Sequence, residues 1–201
     1  MVDERSLIRR AQQKDLEAFE QLVRLKRESA FRVAFNIVGD EDDAEDIAQV
    51  AFIKLWSSLR QFNENQRFDP WFFRIVVNLA IDHLRVRRRG PQALPEERQD
   101  DAAPGAQPAG VPSADPASQA DVELMRVELR KVFNDIARRL TPQQRAAFTL
   151  REIEGVPTEE IARIMSTRQS TVRNHLMSAR RALQEELRRR YPEYFRMKER
   201  G

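Results

Sequence analysis

Cysteine is absent from the 201-residue chain, and histidine occurs only twice, at His83 and His175. A disulfide framework is therefore excluded, and neither a thiolate nor a histidine-rich zinc site is expected. Apolar runs fall short of the ~20 residues that a membrane-spanning helix requires. The charged start MVDERSLIRR lacks the apolar core of a signal peptide. We therefore expect a cytoplasmic protein that needs no metal or other cofactor and inserts no segment into a membrane.

The alternation of apolar and polar residues that marks β-strands is also missing, whereas apolar residues at helical spacing recur through most of the chain. Residues 90–120 interrupt this pattern with a stretch rich in proline, alanine and serine, a composition typical of a disordered tether. The sequence therefore predicts an all-α protein. It has two small helical domains at 1–89 and 121–190, a flexible linker at 90–120 and a C-terminal tail at 191–201.

Capping residues and glycines set the predicted helix boundaries. In the first domain they give helices over residues 3–13, from an Asp15 cap to a Gly39 stop, from Asp42 or Asp43 through Leu59, and from an Asp69 cap with Pro70 first in the helix to about Arg89. In the second domain they give a helix over 121–140, a helix from a capping box at Thr141 and Gln144 to Gly155, a short helix capped by Thr158, and a long one capped by Ser170 that fades near Arg190.

Residues 157–183, PTEEIARIMSTRQSTVRNHLMSARRAL, combine a short helix, a tight polar turn and a second, basic helix. This is the outline of a helix-turn-helix, whose second helix lies in the major groove of DNA. Val172, Leu176 and Ala179 belong to its packed side, and the opposite face carries groups that bond phosphates or base edges. The candidate DNA-binding residues are Arg168, Ser170, Thr171, Arg173, Asn174, Met177, Arg180 and Arg181. The alternative is an ordinary helical hairpin with a solvated basic face.

The third predicted helix exposes apolar residues that its packing does not need. One stripe, which includes Ala44, Ala51 and Leu55, accounts for burial, yet Val50 and Ile53 fall on the opposite face. Single exposed apolar residues are normal. An apolar patch rimmed by acidic and polar groups also suits docking to another helical protein. The sequence leaves both interpretations open.

The fourth predicted helix follows a polar loop flanked by aromatic residues, QFNENQRFDPWFF, and ends in the basic run RVRRR at 85–89. Unpaired DNA is bound by cations that meet its phosphates and by flat side chains or pockets that take its bases. The aromatic residues between positions 68 and 73 are nevertheless expected mostly in the core. A protein that binds only duplex DNA does not need this block, whereas one that captures a flipped base does.

Three segments carry a resemblance to a known family: DAEDIAQVAFIKLWSSLRQF, FDPWFFRIVVNLAIDHLR and, beyond the proline-rich linker, LTPQQRAAFTLREIEGVPTEEIARIMSTRQSTVRNHLMSARRAL. In this order they resemble a bacterial RNA polymerase sigma factor of the extracytoplasmic-function (ECF) group of the sigma-70 family. The resemblance covers residues 4–89, which look like sigma region 2, and 121–190, which look like sigma region 4. It implies a non-enzymatic subunit that directs core polymerase to promoters and promotes DNA melting.

The resemblance also implies roles for particular residues. The helix at 43–59 would dock on the clamp helices of the largest polymerase subunit through Asp43, Asp46, Gln49, Val50, Ile53 and Lys54. The segment at 62–89 would open the −10 element and hold a flipped base through Asn63, Asn65, Arg67, Trp71, Arg74, Asn78, Arg85 and Arg88. Residues 168–181 would read the −35 element. The implied partners are core RNA polymerase, including its flap region, promoter DNA and an anti-sigma factor.

Three positions depart from the usual pattern of that family. Val50 stands where glutamate is common, Ser170 where glycine is frequent, and Asp69-Pro70 where a polar-small-threonine run is common. None of these departures removes a group that performs covalent chemistry, because the family performs none.

Two other classes of protein fit parts of the sequence. A stand-alone helix-turn-helix regulator would bind a palindromic duplex as a dimer and would leave residues 42–89 without a role. A nuclease could use the acidic run DEDDAED at 40–46 as metal ligands, but that run is better explained as a loop and helix N-cap. No second carboxylate motif completes a site.

The net charge is only +3, yet acidic and basic residues are segregated, which favours two surfaces with different partners.

Overall fold

A computed structural model of the chain describes residues 3–89 and 139–192, and within them all regular structure is helical. The elements are α1 (Glu4–Gln12), α2 (Leu16–Val38), α3 (Glu41–Ser58), a 3-10 turn (Leu59–Gln61), α4 (Phe68–Arg89), α5 (Pro142–Phe148), a π turn (Thr149–Ile153), α6 (Thr158–Ile164) and α7 (Gln169–Arg190). In this part of the chain no helix has the length and apolar character to cross a membrane. The predicted linker at 90–120, the predicted helix over 121–140 except its last two residues, and the tail beyond residue 192 lie outside the described residues.

The first domain is organised around α2, which packs against α1, α3 and α4. The boundaries of α2 confirm the sequence prediction at both ends. The Asp15 carboxylate accepts a hydrogen bond from the backbone N–H of Ala18 at 3.0 Å, which satisfies one of the free donors of the first turn. Gly39 ends the helix in the left-handed region at φ 79°, where glycine has no Cβ to clash. The buried side of α2 includes Leu22 and Val33.

The predicted starts of α3 and α4 were wrong. Helix α3 begins at Glu41, because the Asp40 carboxylate, and not Asp42 or Asp43, is the cap and accepts from the Asp43 N–H at 3.1 Å. Several acidic residues in a row make equally good caps, so local pattern does not choose among them. Helix α4 begins at Phe68, and Asp69 lies inside its first turn with its carboxylate bound to Lys26. A tertiary contact has therefore replaced the predicted cap.

Lys26 of α2 is the charged centre of the first domain, with only 7% of its surface exposed. Its Nζ lies 2.8 Å from a Glu4 carboxylate oxygen and also binds Asp69, so it joins α1, α2 and α4. Burial alone would lower the pKa of Lys26, but the hydrogen bonds to Asp69 and Glu4 outweigh it and hold the pKa above the ordinary 10.5. This contribution to stability is fully present below pH 10.5 and is lost as the pH rises through the folded value.

Replacing Lys26 by methionine is expected to lower the free energy of unfolding by about 2 kcal/mol, because Glu4 and Asp69 lose the cation that pairs with them. The loss is moderate, since part of each carboxylate stays exposed to water. The loss should appear as a lower midpoint in urea denaturation. The control is Lys54→Met, which removes an exposed lysine of the same domain and should change stability by less than about 0.5 kcal/mol. Equal losses in the two variants would contradict a stabilising role for Lys26.

The second domain opens with the predicted capping box. The Thr141 hydroxyl accepts from the Gln144 N–H at 3.3 Å, and the Gln144 side-chain oxygen accepts from the Thr141 N–H at 2.9 Å. The two caps predicted within the helix-turn-helix were wrong, because Thr158 and Ser170 both lie inside the helices that they were expected to cap. The flanking positions, Pro157 and Arg168, make no side-chain cap bond. The turn between α6 and α7 is formed instead by Ser166, with φ 51°.

The two domains pack against each other. Helices α2 and α4 of the first domain contact α5 of the second, α2 also contacts the π turn, and α4 also contacts α6. Buried apolar residues of both domains belong to one connected cluster, which runs from Leu22 and Phe72 to Leu150 and Ile161. The face of α7 that carries the candidate DNA-binding residues points away from its own buried side, where Val172 and Leu176 lie.

Candidate nucleic-acid and protein interfaces

Helix α7 presents the predicted basic face to solvent. The opposite side of the helix is buried and carries Val172, Leu176 and Ala179. This packing fixes the rotation of α7 about its own axis. Of the predicted DNA-binding residues, Thr171 is half-buried and the others are exposed, namely Arg168, Ser170, Arg173, Asn174, Met177, Arg180 and Arg181. Met177 is an apolar side chain that is 66% exposed, and such a group can meet the methyl group of thymine.

The arginines of this face are held by weak partners that DNA can displace. Arg180 lies 2.6 Å from Glu152 of the π turn, and Arg181 lies 2.9 Å from Glu185 one turn along α7. Arg173 donates to the Gln169 side chain at 3.4 Å. Exposed pairs of this kind contribute little to stability, so a phosphate can replace the carboxylates. The sequence did not predict that Glu152 pairs with Arg180, because no local pattern connects Glu152 to a helix that begins seventeen residues later.

His175, also on α7, adds no charge to this face at neutral pH. The ring is half-buried, and burial lowers its pKa below the ordinary 6.5. The positive charge of the face therefore comes from the arginines, and it is independent of pH in the physiological range.

The loop before α4 and the outer face of α4 expose the residues predicted to contact the −10 element. Asn63, Asn65 and Arg67 are exposed in the loop, where the Asn63 side chain accepts from the Asn65 N–H at 3.0 Å. On the helix the exposed members are Arg74, Asn78 and Arg85. The side chain of Arg88 lies outside the described residues. The loop and the helix thus both present polar and basic side chains to solvent.

The aromatic residues around this loop belong mostly to the core, as predicted. Phe68, Phe72 and Phe73 are buried. Trp71 is half-buried, with its ring centroid 5.0 Å from that of Phe62 and 6.1 Å from that of Phe68. Trp71 is therefore the aromatic side chain of this group that keeps a surface for an unstacked base.

The outer face of α3 carries the exposed apolar patch that the sequence predicts. Val50 is 41% exposed and Ile53 is 69% exposed, although both are large apolar side chains. Asp46, Gln49 and Lys54 are exposed beside them. An apolar centre with a polar rim on a rigid helix is the arrangement of a protein-binding surface.

Asp43 differs from the other predicted docking residues. Its carboxylate lies 2.7 Å from Arg87 and 3.1 Å from His83, both on α4, and the side chain is largely covered. The residue therefore joins the start of α3 to the end of α4. A docked partner would have to compete with Arg87 for this carboxylate.

Comparison with known families gives two matches in the same order as the two domains. A family model described as Sigma-70 region 2 matches residues 22–90, and one described as Sigma-70, region 4 matches residues 130–183. The RNA polymerase sigma-H factor of Pseudomonas aeruginosa is 32% identical over 92% of this chain and 93% of that protein. The ECF RNA polymerase sigma-E factor of Escherichia coli is 32% identical over 88% of this chain and 90% of that protein.

Two solved structures share the fold. The sigma factor RpoE of Bartonella quintana, in a co-crystal with the anti-sigma factor NepR, gives a TM-score of 0.62 at 24% identity, over 85% of this chain and 96% of that one. CnrH in complex with the cytosolic domain of CnrY also gives a TM-score of 0.62, at 23% identity, over 92% of this chain and 96% of that one. These similarities concern the fold alone.

Proposed function

The chain belongs to the ECF group of the sigma-70 family, whose members are transcription initiation factors, and from this premise we propose that it binds core RNA polymerase and directs it to specific promoters. It acts as a binding subunit with no covalent chemistry of its own. Its two domains divide the work. The first binds polymerase and the −10 element, and the second binds the −35 element.

The polymerase-binding surface in this proposal is the outer face of α3. The observation that carries it is the exposure of Val50 and Ile53 on a helix whose other side already fills the core. Water excluded from these two side chains supplies the apolar part of the binding free energy. The exposed Asp46, Gln49 and Lys54 surround them and supply direction and specificity at the rim.

The −35 element is read by α7. Arg173 and Asn174 lie near its N-terminal end, where a recognition helix meets base edges. Arginine pairs with guanine and asparagine with adenine when the contact is bidentate. Arg180 and Arg181 lie further along the helix, and we assign them to phosphates, which position the helix without reading sequence.

The −10 element is opened by the loop before α4 and by α4 itself. Unstacking a base step costs a few kcal/mol. Contacts of exposed Arg67, Arg74 and Asn78 with the separated strand offset this cost, so that melting requires no ATP. The half-buried ring of Trp71 offers a flat surface beside the loop.

An anti-sigma factor is the second class of partner in this proposal. The sigma factor RpoE, which shares this fold, was crystallised with the anti-sigma factor NepR. The exposed apolar patch on α3 and the basic face of α7 are both surfaces that a protein inhibitor can cover, because each is a binding site that lies open in the free chain.

The proposed function is tested by in vitro transcription on a library of promoters, with purified core enzyme and with or without this protein. We expect discrete transcripts that start at a shared promoter sequence only when the protein is present. A lack of promoter-specific transcripts would contradict the proposal. Tight dimeric binding to a palindromic duplex without polymerase would instead identify a stand-alone regulator.

A further inference from the structure

The loop before α4, residues 62–67, is short and is closed at its two ends by aromatic side chains. Phe62 and Phe68 are both buried, and their ring centroids lie 5.4 Å apart in an edge-to-face arrangement. Inside the loop the Gln66 N–H donates to the Asn63 carbonyl at 2.9 Å. The residues between the two phenylalanines are all exposed. The loop is therefore a compact turn, and its direction depends on how its first residues are fixed.

Gln12, the last residue of α1, supplies the donors that fix the first end of this loop. Its side-chain amide nitrogen lies 3.1 Å from the carbonyl oxygen of Leu59 and 2.9 Å from that of Phe62. These carbonyls stand where α3 and its 3-10 turn end, and the last carbonyls of a helix have no partner within it. A glutamine amide has two N–H groups, so one half-buried side chain serves both carbonyls.

Two further side chains connect α1 and the turn after it to the same region. Lys14 Nζ donates to the Trp56 carbonyl at 3.1 Å, in the last turn of α3, and lies 4.4 Å from the centroid of the Trp56 ring. Arg9 Nε lies 2.6 Å from a carboxylate oxygen of Glu64, inside the loop. The Arg9 pair is largely exposed, so it holds the loop weakly. Of the contacts from α1 to the loop, those of Gln12 are therefore the stronger.

The attachment of α1 to the domain does not depend on these donors. Leu7, Ile8 and Ala11 are buried in the core, and Glu4 pairs with Lys26. The side chains at the C-terminal end of α1 therefore act on the neighbouring loop more than on the helix that carries them.

We propose that α1 positions the loop before α4 for base recognition, with Gln12 as its principal positioning residue. The inference rests on the proposed function, in which this loop meets the separated −10 strand, and deepens it. By holding Leu59 and Phe62, Gln12 keeps the exposed loop side chains in one arrangement before DNA arrives. A preorganised loop loses less conformational entropy on binding, whereas a flexible one repacks around the wrong base. Gln12 acts through the loop and contacts no base.

Two variants remove the donors of Gln12 and keep the size of its side chain. Gln12→Glu places a second carboxylate oxygen where the amide nitrogen was, facing two carbonyl oxygens, and Gln12→Met has no polar hydrogen in its side chain. The matched controls are Gln13→Glu and Gln13→Met, the same changes at the next residue, which is exposed. Both glutamate variants add one negative charge, so a general repulsion of DNA is present in each.

The first measurement uses the full-length chain without polymerase or DNA. It follows hydrogen exchange at the backbone amides of Phe62, Asn65 and Gln66, whose N–H groups donate within the turn and the loop. We expect about tenfold faster exchange in both Gln12 variants, because two hydrogen bonds to the loop are lost. Exchange in the Gln13 controls should be unchanged. The amides of α2 are the internal reference for a general loss of stability.

The second measurement is base discrimination by the complex with core polymerase. The complex is titrated with a single strand that carries the −10 sequence selected in the transcription assay, and with point mutants of that strand. Both Gln12 variants should lower the ratio of these affinities about tenfold at the most selective position. Their affinity for the −35 duplex should be unchanged. The ratio is independent of the fraction of folded protein, so a purely structural role of Gln12 would not alter it.

Loop exchange that is unchanged in both Gln12 variants, or that rises only as much as exchange in α2, would overturn the proposal. Faster loop exchange with full base discrimination would also overturn it, and so would equal losses of discrimination in the Gln13 controls. If the unchanged protein gives no promoter-specific transcripts, the proposed function fails. The exchange measurement then still decides whether Gln12 holds the loop.

Discussion

Replacing both Val50 and Ile53 by aspartate is expected to weaken binding to core RNA polymerase about a hundredfold, which corresponds to ~2.7 kcal/mol. Both side chains are exposed in the free protein, so their replacement should leave the fold intact. In the complex they would lie at the desolvated centre of the interface, where single residues contribute ~2 kcal/mol. An aspartate there would also bring an unpaired charge out of water. The measurement is a titration of labelled protein with core enzyme, followed by fluorescence anisotropy.

The matched control for this prediction is Leu16→Asp with Val86→Asp. These two residues are also large, apolar and exposed on the first domain, and their replacement adds the same charge. The control should bind polymerase within about twofold of the unchanged protein. If the variant at Val50 and Ile53 binds as tightly as the control, the outer face of α3 is not the docking surface.

Replacing Arg173 by glutamate is expected to weaken binding to the −35 duplex about a hundredfold and to leave binding to core polymerase unchanged. A lost bidentate contact to a base accounts for ~1–3 kcal/mol, and the new carboxylate is repelled by the phosphates around it. Arg173 is exposed, and its hydrogen bond to the Gln169 side chain is long, at 3.4 Å. The replacement should therefore leave the stability of the domain unchanged. The affinity is measured on the promoter sequence that the transcription assay selects.

The salt dependence of the same titration separates base reading from phosphate binding. A base-reading Arg173 predicts that the variant loses discrimination between the selected sequence and its point mutants. A uniform loss for all sequences, with a salt slope smaller by about one, would instead mark a phosphate contact and contradict the assignment. Arg24→Glu is the control for net charge, since Arg24 is exposed on α2 of the other domain.

Features that depend on neighbouring residues were predictable from the sequence. The Asp15 cap, the Gly39 stop and the Thr141–Gln144 box are present as expected, because each acts over fewer than five residues. The exposure of Val50 and Ile53 followed from the helical period alone. The roles of the site residues remain predictions, since they concern partners that act on the exposed faces.

Features that join distant parts of the chain were not predictable in this way. Asp69 was expected to cap α4, but it binds Lys26 across 43 residues. Glu154 meets Arg32 across 122 residues, and no short pattern marks either of them. Asp43 was expected to be available to a partner, yet Arg87 already holds it. In each case the packing of the helices determines which charged side chains meet, and these side chains look alike in sequence.

The most direct test of the central claim is the elution of the purified chain with core RNA polymerase on a sizing column, with every inhibitor protein removed. We predict that the two elute together, and that the variant at Val50 and Ile53 elutes separately. If the unchanged chain elutes apart from the core enzyme at concentrations that support transcription, the assignment of this protein as a polymerase-binding specificity factor is contradicted.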